Sequence, residues 1–264
     1  RTETKRGEQH DVRAKVVLSN ADLKRTLLEL VGPAHLPSDL VTRTRGYQMG
    51  GAIFMTFLGI EADLAKKGMR NSNYWCFDGY DMEAFYRDAK INGTIASRGC
   101  YITSTSFKDP DTPGHSPDGI TSVEIMSLLP GQAKDWGVDP ALIESGKYRK
   151  EADYIALKQR LEDDLVRRLD TLFPGTADAV VFRESATPVT HSRYTRASDG
   201  SGYGLAATPE QFMHKRPGYR TPVDGLYLCG ASTRAGHGIV GAMKSGEQAA
   251  LRIAKDLGRP FEVR

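Results

Sequence analysis

Gly225-Leu-Tyr-Leu-Cys-Gly-Ala-Ser-Thr-Arg-Ala-Gly-His-Gly-Ile-Val-Gly-Ala-Met-Lys-Ser-Gly-Glu-Gln-Ala-Ala250 is the stretch that decides the fold. Leu226 to Cys229 reads as a short strand buried on both faces, Gly230 stands where the chain must leave the sheet, and a helical pattern follows Gly238. Gly236, Gly238 and Gly241 remove side chains where backbone approaches a neighbour closely. Gly238, Ala242, Gly246 and Ala249 share one helix face, continued by Ile253, so the helix is expected to lie close against a sheet or a cofactor. The first amides of such a helix are unpaired and partially positive, which suits an anionic or carbonyl-bearing ligand. On spacing alone, a tightly packed structural turn and a cofactor-binding turn both remain open.

Working outward, residues 185 to 222 are rich in Gly, Pro, Ser and Thr, with Gly200, Gly202 and Gly204 interrupting any regular element, and read as a long functional loop. Before it, Tyr154, Leu157, Leu161, Leu165, Leu169 and Leu172 form one apolar stripe opposite Lys150, Lys158, Arg160 and Arg167. The spacing predicts a helix over about 148–172, ended by Phe173-Pro174-Gly175. Strands are predicted at 50–58, 101–107 and 121–129, the last two as an antiparallel pair across a Pro- and Gly-rich connection. The chain opens on a turn around Gly7 and a strand over 12–18. Asp22 then caps a helix carrying Leu23, Leu27 and Leu30, which Gly32-Pro33 ends.

The chain has 264 residues, 39% hydrophobic and 26% charged, which is the composition of a globular protein and excludes disorder. Its 36 basic and 33 acidic residues are interspersed, without the basic stripe that nucleic acid requires. No apolar run is long enough to span a bilayer, while contact with a membrane surface stays compatible with the sequence. Cys76, Cys100 and Cys229 form no CxxC pair and have no histidine at metal-ligand spacing, so they are expected to be buried free thiols in a reducing compartment, and no metal is expected.

The complete 225–250 string closely resembles the C-terminal FAD motif of phytoene desaturase and retinol saturase-like flavoproteins, within the amine-oxidase-like group. Ala14-Lys-Val-Val-Leu-Ser-Asn-Ala-Asp22 resembles the family's strand returning to the FAD domain, and Gly202-Tyr-Gly204, Arg216-Pro217 and Thr221-Pro222 resemble the landmarks before its last strand. The middle of the chain, 36–180, matches only in the order of its elements. The resemblance implies an α/β fold: an FAD-binding, Rossmann-like domain remnant formed by both chain ends (1–35 and 186–264) around an inserted mixed-sheet α+β substrate domain (36–185). It implies FAD as cofactor and Gly230, Ala231, Thr233, Gly236, Gly238, Ile239 and Val240 as its neighbours. Many amine-oxidase relatives have an aspartate where this chain has Ala231. No G-x-G-x-x-G βαβ fingerprint for the ADP half appears near Arg1, where the family begins with one, so the chain is read as a C-terminal portion whose partner is the N-terminal half of the same protein.

The chemistry implied is transfer of an electron pair between flavin and an apolar polyene-type substrate in desaturation, saturation or isomerisation, in a cytoplasmic or peripheral-membrane setting. An amine-oxidase-like activity and a non-catalytic prenyl- or lipid-carrier role of the same fold are the alternatives. Tyr203, flanked by two glycines, is the substrate-side candidate. His237 is read as an ordinary loop residue before a catalytic one, Arg234 equally as a phosphate-neutralising group or one of a solvent-facing ion pair, His191 and His214 as surface or loop residues, and Cys229 as a small hydrophobe. Tyr74, Trp75, Phe77 and Tyr80 are read as core aromatics rather than a substrate cleft.

Overall fold

The computed structural model describes residues 2–3, 8–87, 90–91 and 94–260; the turn expected around Gly7 lies outside them. In chain order the strands are β1 (Thr2–Glu3), β2 (Gln9–His10), β3 (Val17–Ser19), β4 (Ala52–Ile60), β5 (Tyr74–Phe77), β6 (Lys90–Ile91), β7 (Thr94–Ile95), β8 (Gly99–Thr103), β9 (Thr121–Leu129), β10 (Val180–Ala186) and β11 (Leu226–Leu228). The α-helices are α1 (Ser38–Gly46), α2 (Met82–Arg87), α3 (Thr105–Lys108), α4 (Ala152–Leu172), α5 (Pro188–Thr195) and α6 (Gly238–Asp256). They divide between two compact units, one of residues 1–50 with 203–264 and the other of residues 51–202. Those borders differ from 35/36 and 185/186. Leu36, Leu40 and Val41 bury beside Leu23 and Leu27, which keeps α1 in the first unit, and position 185/186 falls within β10.

The second unit is a five-stranded antiparallel sheet in the order β10-β4-β9-β8-β5. Alternation along β9 turns Val123, Ile125 and Leu129 to the core, where Phe54, Leu58 and Ile60 of β4 join them. Helix α4 contributes Tyr154, Leu161, Leu165 and Leu169, as the stripe predicts, and each such side chain stabilises the unit by about 1.5–3 kcal/mol on burial. Leu172, at the helix end, is exposed instead.

Local chemistry moves several expected boundaries. The run 101–107 stops being strand at Thr103 because the Ser104 hydroxyl accepts from the Phe107 amide and starts α3. Within 185–222, Thr187 and Thr190 form a reciprocal capping box with Pro188 at the first helical position, so α5 stands where a loop was expected. Of the aromatic cluster, Tyr74 packs edge-on against Phe173, whereas Trp75, Phe77 and Tyr80 are exposed. Period-two alternation on β5, an edge strand, sends Trp75 and Phe77 to the face opposite Tyr74 and Cys76.

In the first unit, β3 and β11 pair in parallel, Val17 opposite Leu226 and Ser19 opposite Leu228. The strand expected over 12–18 is thus confined to its last residues and Ser19. The Asp22 carboxylate accepts from the Arg25 amide at 3.0 Å, as a cap should. Residues Arg25–Val31 then adopt a wider π-helical turn, which carries Leu30 off the buried stripe and leaves it 74% exposed. Among the described residues no helix is long and apolar enough to cross a membrane.

Asp256 closes α6 at the end where the helix dipole disfavours a carboxylate. It is held there by the Arg220 guanidinium, with Nε 2.5 Å from Oδ2, and by the Tyr227 hydroxyl donating at 2.8 Å. These contacts, Arg220 first, depress its pKa to about 2. The folded value lies below the unfolded value of about 4, so the contribution is present above that pH and is lost as pH falls towards 2. The thermal midpoint of the wild-type chain is expected to fall more steeply than that of Asp256→Asn across this window, and the two should run parallel above it.

Candidate cofactor site

The parallel strand pair continues into the loop through the Cys229 amide, which donates to the Ser19 carbonyl at 2.9 Å. Gly230 follows with φ +94°, and a Cβ there would collide with the Asn20 side-chain oxygen. The two motifs from opposite ends of the sequence, Ser19-Asn20 and Gly230, therefore meet in direct contact. Position 230 accepts no side chain for two independent reasons, conformation and space.

Beyond Gly230 the loop is wound by an internal hydrogen-bond network. The Gly230 amide donates to Ser245 Oγ of α6 at 2.8 Å, the Thr233 hydroxyl donates to the Gly230 carbonyl at 2.8 Å, and the two hydroxyls lie 2.6 Å apart. Thr233 and Ser245 are both buried, so the Thr233 side chain points into this network. Successive turns, Thr233 to Gly230 and Gly236 to Thr233, bring the chain to α6.

A buried arginine supports the loop from behind. Arg216 is 3% exposed and donates to three carbonyls, Gln211 at 2.9 Å and Ala231 and Leu205 at 2.7 Å each. Burial lowers its pKa, but a guanidinium stays protonated in proteins. Gln211 is itself tied to the Gln48 backbone in both directions. Gly204 packs so closely on the loop that a Cβ would approach Ser232 Oγ to 2.5 Å. Its neighbour Tyr203 is thereby placed with its ring 5.0 Å from the His237 ring, immediately before α6.

Gly238 opens α6 with φ +78° and open space around the position of a Cβ. No side chain caps this helix start, and its first turn contains no acidic residue. Ile239 and Val240 stand 82% and 80% exposed beside it. Unpaired amides next to an apolar surface fit a planar heterocycle with a polar edge, so the residues present suit a flavin. The helix face expected from the small residues is only partly the packed one: Ser245 and Ala249 bury, while Gly238 and Gly246 face open space.

Among the other candidates, Cys229 is half-buried with its thiol pKa raised by burial, as a small hydrophobe requires. Arg234 is exposed. No group of His, Cys, Asp and Glu able to hold a metal occurs among the described residues. Three roles were not visible in the sequence: the Ser245 link, the Arg216 brace and the Asn20 contact. Ser245 carried a signal, being a hydroxyl on an otherwise small and apolar helix face.

Residues 142–254 match the family described as flavin containing amine oxidoreductase. Prolycopene isomerase, chloroplastic, of Daucus carota is 37% identical over 253 residues, covering 94% of this chain and 37% of that protein. Phytoene desaturase (neurosporene-forming) of Rhodobacter capsulatus is 27% identical over 244 residues, covering 91% and 43%. The cyclohexylamine oxidase of Brevibacterium oxydans shares the fold at a TM-score of 0.51 with 12% identity, over 96% of this chain and 45% of that one. The α/β fold is thus shared with an amine oxidase-type flavoprotein. In sequence, the chain is similar to phytoene desaturase-like proteins with carotenoid and retinoid names. It spans less than half the length of these relatives.

Two glycine replacements separate the roles of the loop. Gly230→Ala meets both the strained φ and Asn20, and is expected to lower the urea midpoint sharply. Gly238→Ala meets only the strained φ and is expected to cost about 1–2 kcal/mol. Equal losses in the two variants would refute the Asn20 contact as the reason for Gly230.

Proposed function

We propose that this chain forms the flavin-proximal side of an FAD site in an oxidoreductase acting on an apolar, polyene-type carbon chain by desaturation, saturation or isomerisation. The observation that carries the proposal is the start of α6: uncapped, free of acidic residues, entered through Gly238, and flanked by exposed Ile239 and Val240. Gly230, Ala231, Gly236 and Gly238 bring backbone to the cofactor, Ile239 and Val240 cover its apolar surface, and Thr233 shapes the loop from within. FAD supplies acceptance or donation of an electron pair. The chain's own residues hold it, orient it and exclude water.

Tyr203, set against His237, is assigned to the substrate side. The first unit is read as the FAD-domain portion made from both chain ends, and the second as the substrate domain. The adenosine side of FAD is assigned to a partner segment bearing a further βαβ unit with a G-x-G-x-x-G turn. Two relatives whose names specify prolycopene and phytoene, together with Ala231 in place of an aspartate, favour a carbon chain over an amine as the reacting group.

The test is flavin content per folded protein when the chain is produced together with such a segment. Gly238→Val is expected to lower flavin content at least about tenfold, a difference of about 1.4 kcal/mol in binding, while the circular dichroism spectrum is retained. Wild-type occupancy in that variant would sink the assignment of the helix start to the cofactor. A substrate panel of polyenes and amines then separates carbon-chain from amine oxidation.

A further inference from the structure

Cys76 on edge strand β5 and Cys100 on β8 stand directly opposite each other in the antiparallel register, between the pairs Trp75–Tyr101 and Phe77–Gly99. Directly opposed residues of antiparallel strands have Cα atoms about 4.5 or 5.5 Å apart, and both values lie inside the range of about 4.4–6.8 Å that a disulfide spans. Both side chains lie on the face of β5 and β8 that turns to the core, where Cys100 is buried and Cys76 half-buried. The family reading assigns no role to either sulfur.

We propose that Cys76 and Cys100 are a thiol oxidation site, forming a reversible intramolecular disulfide with a low-molecular-weight disulfide as oxidant.

The electrostatics distinguish the two sulfurs. The hydrogen bond from Cys100 and the Arg168 guanidinium favour the Cys76 thiolate against the opposing effect of burial, bringing its pKa to about 7. Cys100 is pushed up, first by that same hydrogen bond, then by burial and by the charge on Cys76, with Asp164 adding to the rise and Arg168 opposing it. Arg168 is fixed in place by Asp78, Asp164 and the Ser97 carbonyl. Cys76 is therefore the attacking sulfur. Its thiolate attacks one sulfur of the oxidant, forming a mixed disulfide and releasing one thiolate. With Cys76 now neutral, the hydrogen bond and the charge that kept Cys100 protonated are gone. Cys100 loses its proton and attacks the Cys76 sulfur, and the second thiolate leaves. Two protein thiols are oxidised by two electrons, one oxidant disulfide is reduced to two thiols, and the two protons go to those products.

The full chain, natively folded, is equilibrated with mixtures of oxidised and reduced glutathione, quenched with an alkylating agent and mapped by peptide mass spectrometry. Alkylatable thiols are expected to fall from three to one as the mixture becomes oxidising, with loss of two hydrogen atoms and one linked peptide pair containing Cys76 and Cys100. Adding excess reduced glutathione should restore all three. Cys100→Ala is expected to stop at the mixed disulfide on Cys76. Three thiols persisting in the most oxidising mixture, a bond to Cys229, or a mixed disulfide on the wild-type chain that does not resolve would each overturn the proposal.

Discussion

The glycine loop takes its shape from a cation that has no anionic partner among the described residues. Arg216 is enclosed, and its guanidinium is satisfied by the carbonyls of Leu205, Gln211 and Ala231, three points on the chain brought together by its planar fork of donors. A lysine would offer its donors from a single point and could not span them in the same way. Because the arginine consumes backbone acceptors, the segment around it stays folded with only short 3-10 turns and no strand or α-helix of its own. The Gly204–Ser232 contact and the position of Tyr203 beside His237 are built on that support.

A second device acts on the other side of the loop. The Ser245 hydroxyl accepts from the Gly230 amide, and the Thr233 hydroxyl adds a second bond to the Gly230 carbonyl, which also accepts from the Thr233 amide. A loop tied internally in this way is set before any ligand arrives, so little of a ligand's binding energy is spent on ordering it. The free amides at the start of α6 are what this ordering leaves available.

Much of the architecture could be read from the residues because it follows from short-range periodicity. The stripe Tyr154, Leu161, Leu165, Leu169 and the alternation along 121–129 each specify one buried face. The strand, glycine turn and helix of 226–256 follow from punctuation and pattern together. What escaped reading depended on context. Pro188 and Thr187 look like loop formers until Thr190 completes the cap; Leu30 has helical spacing but sits in a π-helical turn; Trp75 and Phe77 are core-like residues on an edge strand. At the site, the glycines announced themselves, whereas Arg216, Ser245 and Asn20 act through partners up to about two hundred residues away, and no local pattern encodes such a pairing.

The pairing of β3 with β11 also governs how the first unit is made. Roughly two hundred residues separate the two strands, and the whole second unit lies between them in the chain. The entropy of closing so long a loop must be met before the pair returns any stabilisation, and a second unit folded beforehand would shorten the effective loop to the distance between its ends. The order of events during synthesis then follows: the inserted antiparallel sheet, complete once β10 has emerged, collapses first, and the parallel strands register last. Until that moment β3 remains an open template carrying Val17 and Leu18, so the interval between finishing β10 and seating β11 is when the chain is most exposed to mispairing with another copy of itself.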